Sequence, residues 1–365
     1  MRLRLVRLGV PLLVCLGLAS TAHAQLVFNF IDPNNIQASA PQAYNGFVQA
    51  ASRWSALFTD NVTVNLQIGY QAMSSLGVTS TTDVSFSYAS VRSALGSDAL
   101  SITDALAVAN LPNVSGGTAF NLMLNYTNNN PNGVGSPTAY LDNDGDANNT
   151  TILMTKANAK ALGLLPGTNS AVDGTILFSS SFTFDFDPSD GVTAGAYDFV
   201  GIATHEIGHA LGFFSGVDEL DTRSTGTFHD DDFFQYVYPL DLYRRSALSL
   251  STGGNSTIDF TAGASNAYFS LDGGVTNQGL FSTGRIHGDG RQASHWKDSL
   301  GLGIMDPTAA QGELLAITGR DIQAFDAIGW NLSPAASAPE PGALALALLG
   351  ASGLLVMRRV RRAGR

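Results

Sequence analysis

The stretch DFVGIATHEIGHALG, residues 198–212, restricts the fold more than any other segment. His205 and His209 are four residues apart, so they share a face only if the segment is an α-helix. Gly212 then marks the end of that helix, because a glycine just past the last turn can take the left-handed conformation and turn the chain away. Further helices are expected at 41–58, with Phe47, Ala51, Trp54 and Phe58 at helical spacing, at 156–164 and at 317–330. NVTVNLQIGY, residues 61–70, alternates Val62, Val64, Leu66, Ile68 and Tyr70 with polar residues or glycine, the pattern of a half-buried strand. TILFSS and FTFDFD, within 175–187, read as strands as well. Only four glutamates stand against 39 glycines, and the remaining acidity is aspartate, which points to many turns and few long helices.

Both ends read as addresses rather than fold. Residues 1–24 lead with three arginines, continue with an apolar stretch from Val10 to Leu18 and close on Ala22-His23-Ala24, the layout of a secretory signal peptide. The only cysteine, Cys15, lies inside it, so residues after the cleavage site have no thiol or disulfide chemistry. At the other end Pro339-Glu340-Pro341 precedes an apolar run from Gly342 to Met357 and five arginines. That order resembles the PEP-CTERM sorting signal of Gram-negative bacteria. The resemblance implies removal by an exosortase and a final place at the cell surface or outside the cell. Residues 333–365 are thus read as linker plus sorting signal, and residues 25–332 as one domain. The two ends carry eight of the 19 basic residues and one of the 30 acidic ones, which leaves residues 25–338 with a net charge of −18. Such a body repels nucleic acid and anionic membranes. Its oligomeric state is not legible.

His205-Glu206-x-x-His209 is the pattern of a zinc hydrolase helix. Two histidines grip the ion, and the glutamate beside them acts as general base on a water. A catalytic zinc takes three protein ligands. One common extension of the pattern supplies a third histidine six residues after the second, where this chain has Ser215. Candidates for the third place are His229 in an acidic loop, His287 in a glycine-rich turn, His295, and the carboxylates Asp218 and Glu219.

His295 sits in QASHWKDSLGLGIMDP, with Met305 ten residues on. Together with the helix motif, this segment resembles the metzincin zinc metalloproteases in their leishmanolysin-like arrangement. There the third histidine follows a long insertion, and a methionine turn lies beneath the metal. AASRWSALFTDNVTVNLQI resembles the first helix and strand of that class, so the likeness spans most of residues 40–330. It implies an α+β fold of two subdomains, with a twisted sheet and an active-site helix, and a looser second subdomain after Gly212. It implies an exported zinc endopeptidase with Zn2+ on His205, His209 and His295, Glu206 as the catalytic base and Met305 as the floor. The substrate, a protein or peptide, would lie along the sheet's edge strand, for which TILFSS is the candidate. The alternative is a non-catalytic surface or matrix adhesion protein on the same fold, against which the intact Glu206 argues.

Two acidic loops complete the reading. Asp142, Asp144 and Asp146 alternate around Gly145, and Asp185, Asp187 and Asp190 follow in FDFDPSDG. Either could serve structural Ca2+ or be a solvated turn.

Overall fold

A strand, a helix and a second strand lead into the body. In the computed structural model, which describes residues 25–263, 266–334 and 336, the strand Val27–Ile31 pairs in parallel with Thr63–Gln71. Parallel neighbours need a crossover, and the helix Pro41–Ser55 lies in it. Gly174–Ser179 joins Thr63–Gln71, again in parallel, and Gly77–Thr81 closes the four-stranded sheet in the antiparallel sense. The signal peptide and the sorting signal of the sequence reading lie outside the described residues. Among the described residues no helix is long and apolar enough to cross a membrane.

The expected alternation holds on Thr63–Gln71, where Val64, Leu66 and Ile68 are fully buried. Asn65 is buried too, because its amide group bonds the Asn29 side chain at 2.9 Å and the Asn169 carbonyl at 2.9 Å. The start of this strand is pinned by Lys160, a buried cation whose ammonium donates to Thr63 O, Asn169 O and the Asp173 carboxylate. Removing either charge would leave the other buried and unpaired, which is far costlier than the pair itself.

The edge of the sheet is not where the sequence reading put it. TILFSS lies inside, with a strand on each side, and the edges belong to Gly77–Thr81, beside the motif helix, and to Val27–Ile31. Burial explains the difference. Ile176 and Phe178 are fully buried, as an interior strand requires, whereas GVTST is only half covered. The C-terminal part is likewise not loose. One continuous apolar core runs from Leu26 to Trp330 and includes Phe213, Val217, Phe260, Trp296 and Phe325. The fold is mixed helix and sheet, with further small sheets such as Asp83–Ser87 against Thr151–Thr155.

The helix Phe199–Ala210 sits against both the helix Pro41–Ser55 and the edge strand. Phe47 packs its ring on Phe178 and Phe199, with centroids 5.2 and 5.4 Å apart. A phenylalanine buried this fully stabilises the fold by about 2–3 kcal/mol. The final helix, Gly319–Ala327, brings Phe325 edge-on to Trp54 at 4.6 Å.

Where that final helix meets the helices Tyr88–Asp98 and Ile102–Ala109, four carboxylates line up: Asp60, Asp98, Asp104 and Asp326. Burial pushes Asp326 up to about 7, helped by the charges of Asp104 and Asp98. One of its oxygens accepts from Ser101 Oγ at 2.7 Å. A carboxyl raised in the folded state binds its proton more tightly there than in the unfolded chain. The stability it lends at low pH is therefore lost as the pH rises through about 7. Asp326→Asn is expected to stabilise the protein at roughly pH 8, with the gain fading below 7 and gone near 4. Urea unfolding of both proteins across that range checks it; a gain that does not vary with pH would contradict the assignment.

Candidate metal centre

The helix that carries the motif is capped and terminated by its own sequence. Asp198 is the N-cap and accepts the Gly201 N–H at 2.8 Å. Of its residues only His205 is not fully buried, so this is a core helix rather than an amphipathic surface one. The Trp54 indole N–H donates to the Thr204 carbonyl at 2.9 Å and ties the helix to Pro41–Ser55 one residue before His205. Gly212 has φ 119°, as its place after the last turn predicts.

Three histidines converge. The Nε2 atoms of His205 and His209 are 3.1 Å apart, those of His209 and His295 3.2 Å, and those of His295 and His205 3.3 Å. Nitrogens on a tetrahedral ion at zinc distances would be separated by about 3.3 Å. The opposite ring nitrogens settle the tautomers. His205 Nδ1 faces Ile304 O at 2.7 Å, His209 Nδ1 faces Phe213 O at 2.9 Å, and His295 Nδ1 faces Gln292 O at 3.2 Å. A carbonyl only accepts, so each Nδ1 carries the hydrogen and each Nε2 presents a bare lone pair. Three lone pairs cannot bond one another; they suit a shared cation. Burial, followed by the neighbouring histidines, holds His295 well below its ordinary range, and burial with His205 brings His209 down to about 3. Both are neutral at ordinary pH, the state a metal ligand needs.

His295 is thus the histidine brought to the pair, and the other candidates are elsewhere. His229 stacks on Phe233 and His287 on Tyr126, each with centroids 4.0 Å apart. The Asp218 carboxylate accepts the Ala293 N–H at 2.6 Å and the Ser294 N–H at 3.1 Å. Glu219 bonds Arg223 on the surface. Ser215 donates its hydroxyl to Asp241 at 2.6 Å.

Met305 lies directly beneath. A Cβ added to Gly208, between the two motif histidines, would meet its sulfur at 2.5 Å. The glycine is what lets the sulfur approach the helix. Sequence reasoning missed the residue that holds this turn. Asp321 accepts the Trp296 indole N–H at 2.9 Å and the backbone N–H groups of Ile304 and Thr318 at 2.8 Å each. It also accepts the Met305 N–H at 3.3 Å. The carbonyl that orients His205 belongs to this same turn. The available signal was Thr318-x-x-Asp321, a capping box at the start of the last helix.

Glu206 is buried beside the histidines, and burial raises its carboxyl above the ordinary range. Thr79 Oγ1 lies 2.6 Å from Glu206 Oε2 and 2.9 Å from Glu206 O. The edge strand therefore touches the glutamate directly. A Cβ on Gly77 would stand 2.9 Å from Glu206 Oε1, so a side chain there would push the carboxylate aside. A cleft of about 230 Å³ opens over the histidines between Val78, Phe214 and Pro307. A recess of about 210 Å³, lined by Leu76, Ile202, Ile304 and Leu315, opens beside Glu206. A larger cavity, about 720 Å³, lies away from them between Asn125, Ser246 and Tyr268. Among the described residues no charged side chain lines it.

The acidic loops differ from expectation. Asp142 and Asp144 gather with Asp231, within 4.8 Å, and Asp146 is not in the group. Asp146 instead receives the Asn148 N–H at 3.1 Å. The side-chain amides of Asn148 and Asn149 both donate to Asp142 Oδ2, so neutral donors satisfy it. Burial and the Asp231 charge push Asp142 up to about 7. Asp185 is taken up by Thr193, and Asp187 caps the turn at Ser189. Asp185, Asp187 and Asp190 form no convergent group among the described residues.

No family model, no curated protein and no solved structure matches this chain. Asp321→Ala is expected to cost on the order of 3–5 kcal/mol, because it strands several buried donors at once. Chemical denaturation measures it; a loss under about 1 kcal/mol would show that the turn is held by other contacts.

Proposed function

We propose that the chain is an exported zinc endopeptidase on a metzincin-like α+β fold, with His205, His209 and His295 holding the metal. The observation that carries this reading is the meeting of three Nε2 lone pairs 3.1–3.3 Å apart with a buried carboxylate, Glu206, on the same helix. When bound, zinc supplies Lewis acidity, which polarises a carbonyl and makes a water acidic enough to be deprotonated near neutral pH.

The chain's own groups do the rest. Glu206 takes the proton of the attacking water and returns it to the amine nitrogen as the C–N bond breaks. Thr79 engages Oε2 and leaves Oε1 for the water. Gly77–Thr81 has one paired side, toward Gly174–Ser179, and its other side can bond an extended peptide as one more strand. That supports a peptide substrate over a small amide. The recess beside Glu206 suits an apolar side chain of that substrate.

Export is supported by sequence alone: the signal peptide at 1–24 and the sorting signal after residue 338. An exosortase-type enzyme would remove the latter, leaving the protein at the cell surface or outside a Gram-negative cell.

Metal analysis and casein hydrolysis on the purified protein test the proposal together. One zinc per chain is expected in the wild type. Glu206→Ala should keep the zinc and lose roughly 10²–10⁴ of the hydrolysis rate. Undiminished cleavage by that variant would sink the protease reading. A wild type that takes up no zinc after reconstitution would favour the non-catalytic surface or matrix protein.

A further inference from the structure

The third histidine reaches its partners from 86 residues away in sequence, so something must fix the place where that excursion returns. The excursion leaves the motif helix through Ser215 and comes back through Ala293 and Ser294. These two ends are joined side to side. The Ser215 N–H donates to Ser294 Oγ at 2.9 Å. Asp218 Oδ1 accepts the Ala293 N–H at 2.6 Å, and Oδ2 accepts both the Ser294 N–H, at 3.1 Å, and the Ser294 hydroxyl.

We propose that Asp218 is the positioning residue for His295, and that Ser215, standing where the shorter form of the motif has its third histidine, belongs to the same clamp. An aspartate in the first turn of a helix ordinarily serves that helix's own N–H groups. Asp218 is in the first turn of Val217–Arg223, yet its carboxylate is spent on residues 293 and 294, next to the histidine. The opposite side of His295 is held through Trp296, whose carbonyl accepts the Ser282 hydroxyl at 3.0 Å and whose indole N–H donates to Asp321 at 2.9 Å, and by two backbone bonds. Ser282 N donates to His295 O, and Trp296 N donates to Met305 O, each at 3.0 Å. The imidazole Nδ1 bonds within its own turn, to Gln292 O. Before His295, then, Asp218 is the side chain that sets where the ring stands.

The near end of the clamp is itself anchored. Asp241 accepts the Ser215 hydroxyl at 2.6 Å and the Gly216 N–H at 2.9 Å. Arg244, buried, lies within electrostatic reach of Asp218, Asp241 and Asp259 and offsets their charge.

The assignment rests on the three histidines being metal ligands, and the experiment separates the two claims. Zinc affinity, by competition with a chromophoric chelator, and the visible spectrum of the Co2+-loaded protein are measured on the wild type and four variants: His295→Ala, Asp218→Ala, Asp218→Asn and Ser294→Ala. Asp218→Ala is expected to bind zinc about 10–100-fold more weakly and to show an altered cobalt band, while its near-UV circular dichroism stays native. Ser294→Ala should show a smaller loss, and Asp218→Asn, which keeps one acceptor oxygen, should fall between. The cobalt band reports ligand geometry, which a loss of stability elsewhere would leave unchanged. If His295→Ala binds zinc as the wild type does, the ligand reading is wrong and the positioning role falls with it. If His295→Ala loses zinc but the Asp218 variants bind normally with an unaltered band, only the positioning role is refuted. Should Asp218→Ala fail to fold, Asp218→Asn and Ser294→Ala decide by the same criteria.

Discussion

Three backbone carbonyls govern the chemistry of this molecule. Those of Ile304, Phe213 and Gln292 each face the Nδ1 of one histidine and so force the Nε2 lone pairs inward. Lose one of those bonds and a ring can take the other tautomer, aiming a hydrogen at its neighbours. The three carbonyls come from three unrelated places: the turn above Met305, the exit of the motif helix, and the return of the long excursion. The site is therefore only as well formed as the packing that brings those segments together.

That packing relies on aspartate to an unusual degree. Asp198 caps the motif helix, Asp321 gathers the Met305 turn, Asp218 and Asp241 hold the two ends of the excursion, and Asp221 receives the N–H groups of Ile286 and His287. A short carboxylate offers two acceptor oxygens close to its own backbone, so it can satisfy the N–H groups of a distant loop without a long, entropically costly side chain. With Cys15 the single cysteine of the sequence, the loops of this body cannot be stapled to one another by disulfides. Buried carboxylates do that work, at the expense of carrying groups such as Asp60, Asp98 and Asp326 whose protons are held abnormally tightly.

Much of this was legible in the sequence because it is local. The motif helix, its glycine stop and the helix around Trp54 follow from spacing and capping, and the strand at 63–71 follows from alternation. His295 was reached through resemblance, since nothing in the spacing chooses it over His229 or His287. The rest depended on pairing between distant segments. Whether TILFSS or GVTST forms the sheet's edge is settled by what covers each, and the short GVTST stretch gave no strong strand pattern of its own. The acidic loop near Gly145 looked like three alternating ligands, but Asp231, some ninety residues on, displaces Asp146 from the group. Asp321 could be read as a cap and nothing more, because its other partners come from another part of the chain.

The clamp between Ser215–Asp218 and Ala293–Ser294 makes the intervening chain a loop closed at its neck. Closing a flexible loop of that size costs about 4 kcal/mol, yet doubling it adds only about 0.6 kcal/mol. Length inside the neck is nearly free once the neck exists. Only the surface turns of the excursion have this freedom, because Phe260, Phe269 and Phe281 keep its interior in the common core. Insertions within those turns can accumulate, and acquire surfaces of their own, while the arrangement at the neck keeps its dimensions. A histidine supplied six residues after the second would have no such latitude, because its reach is set by a single short turn.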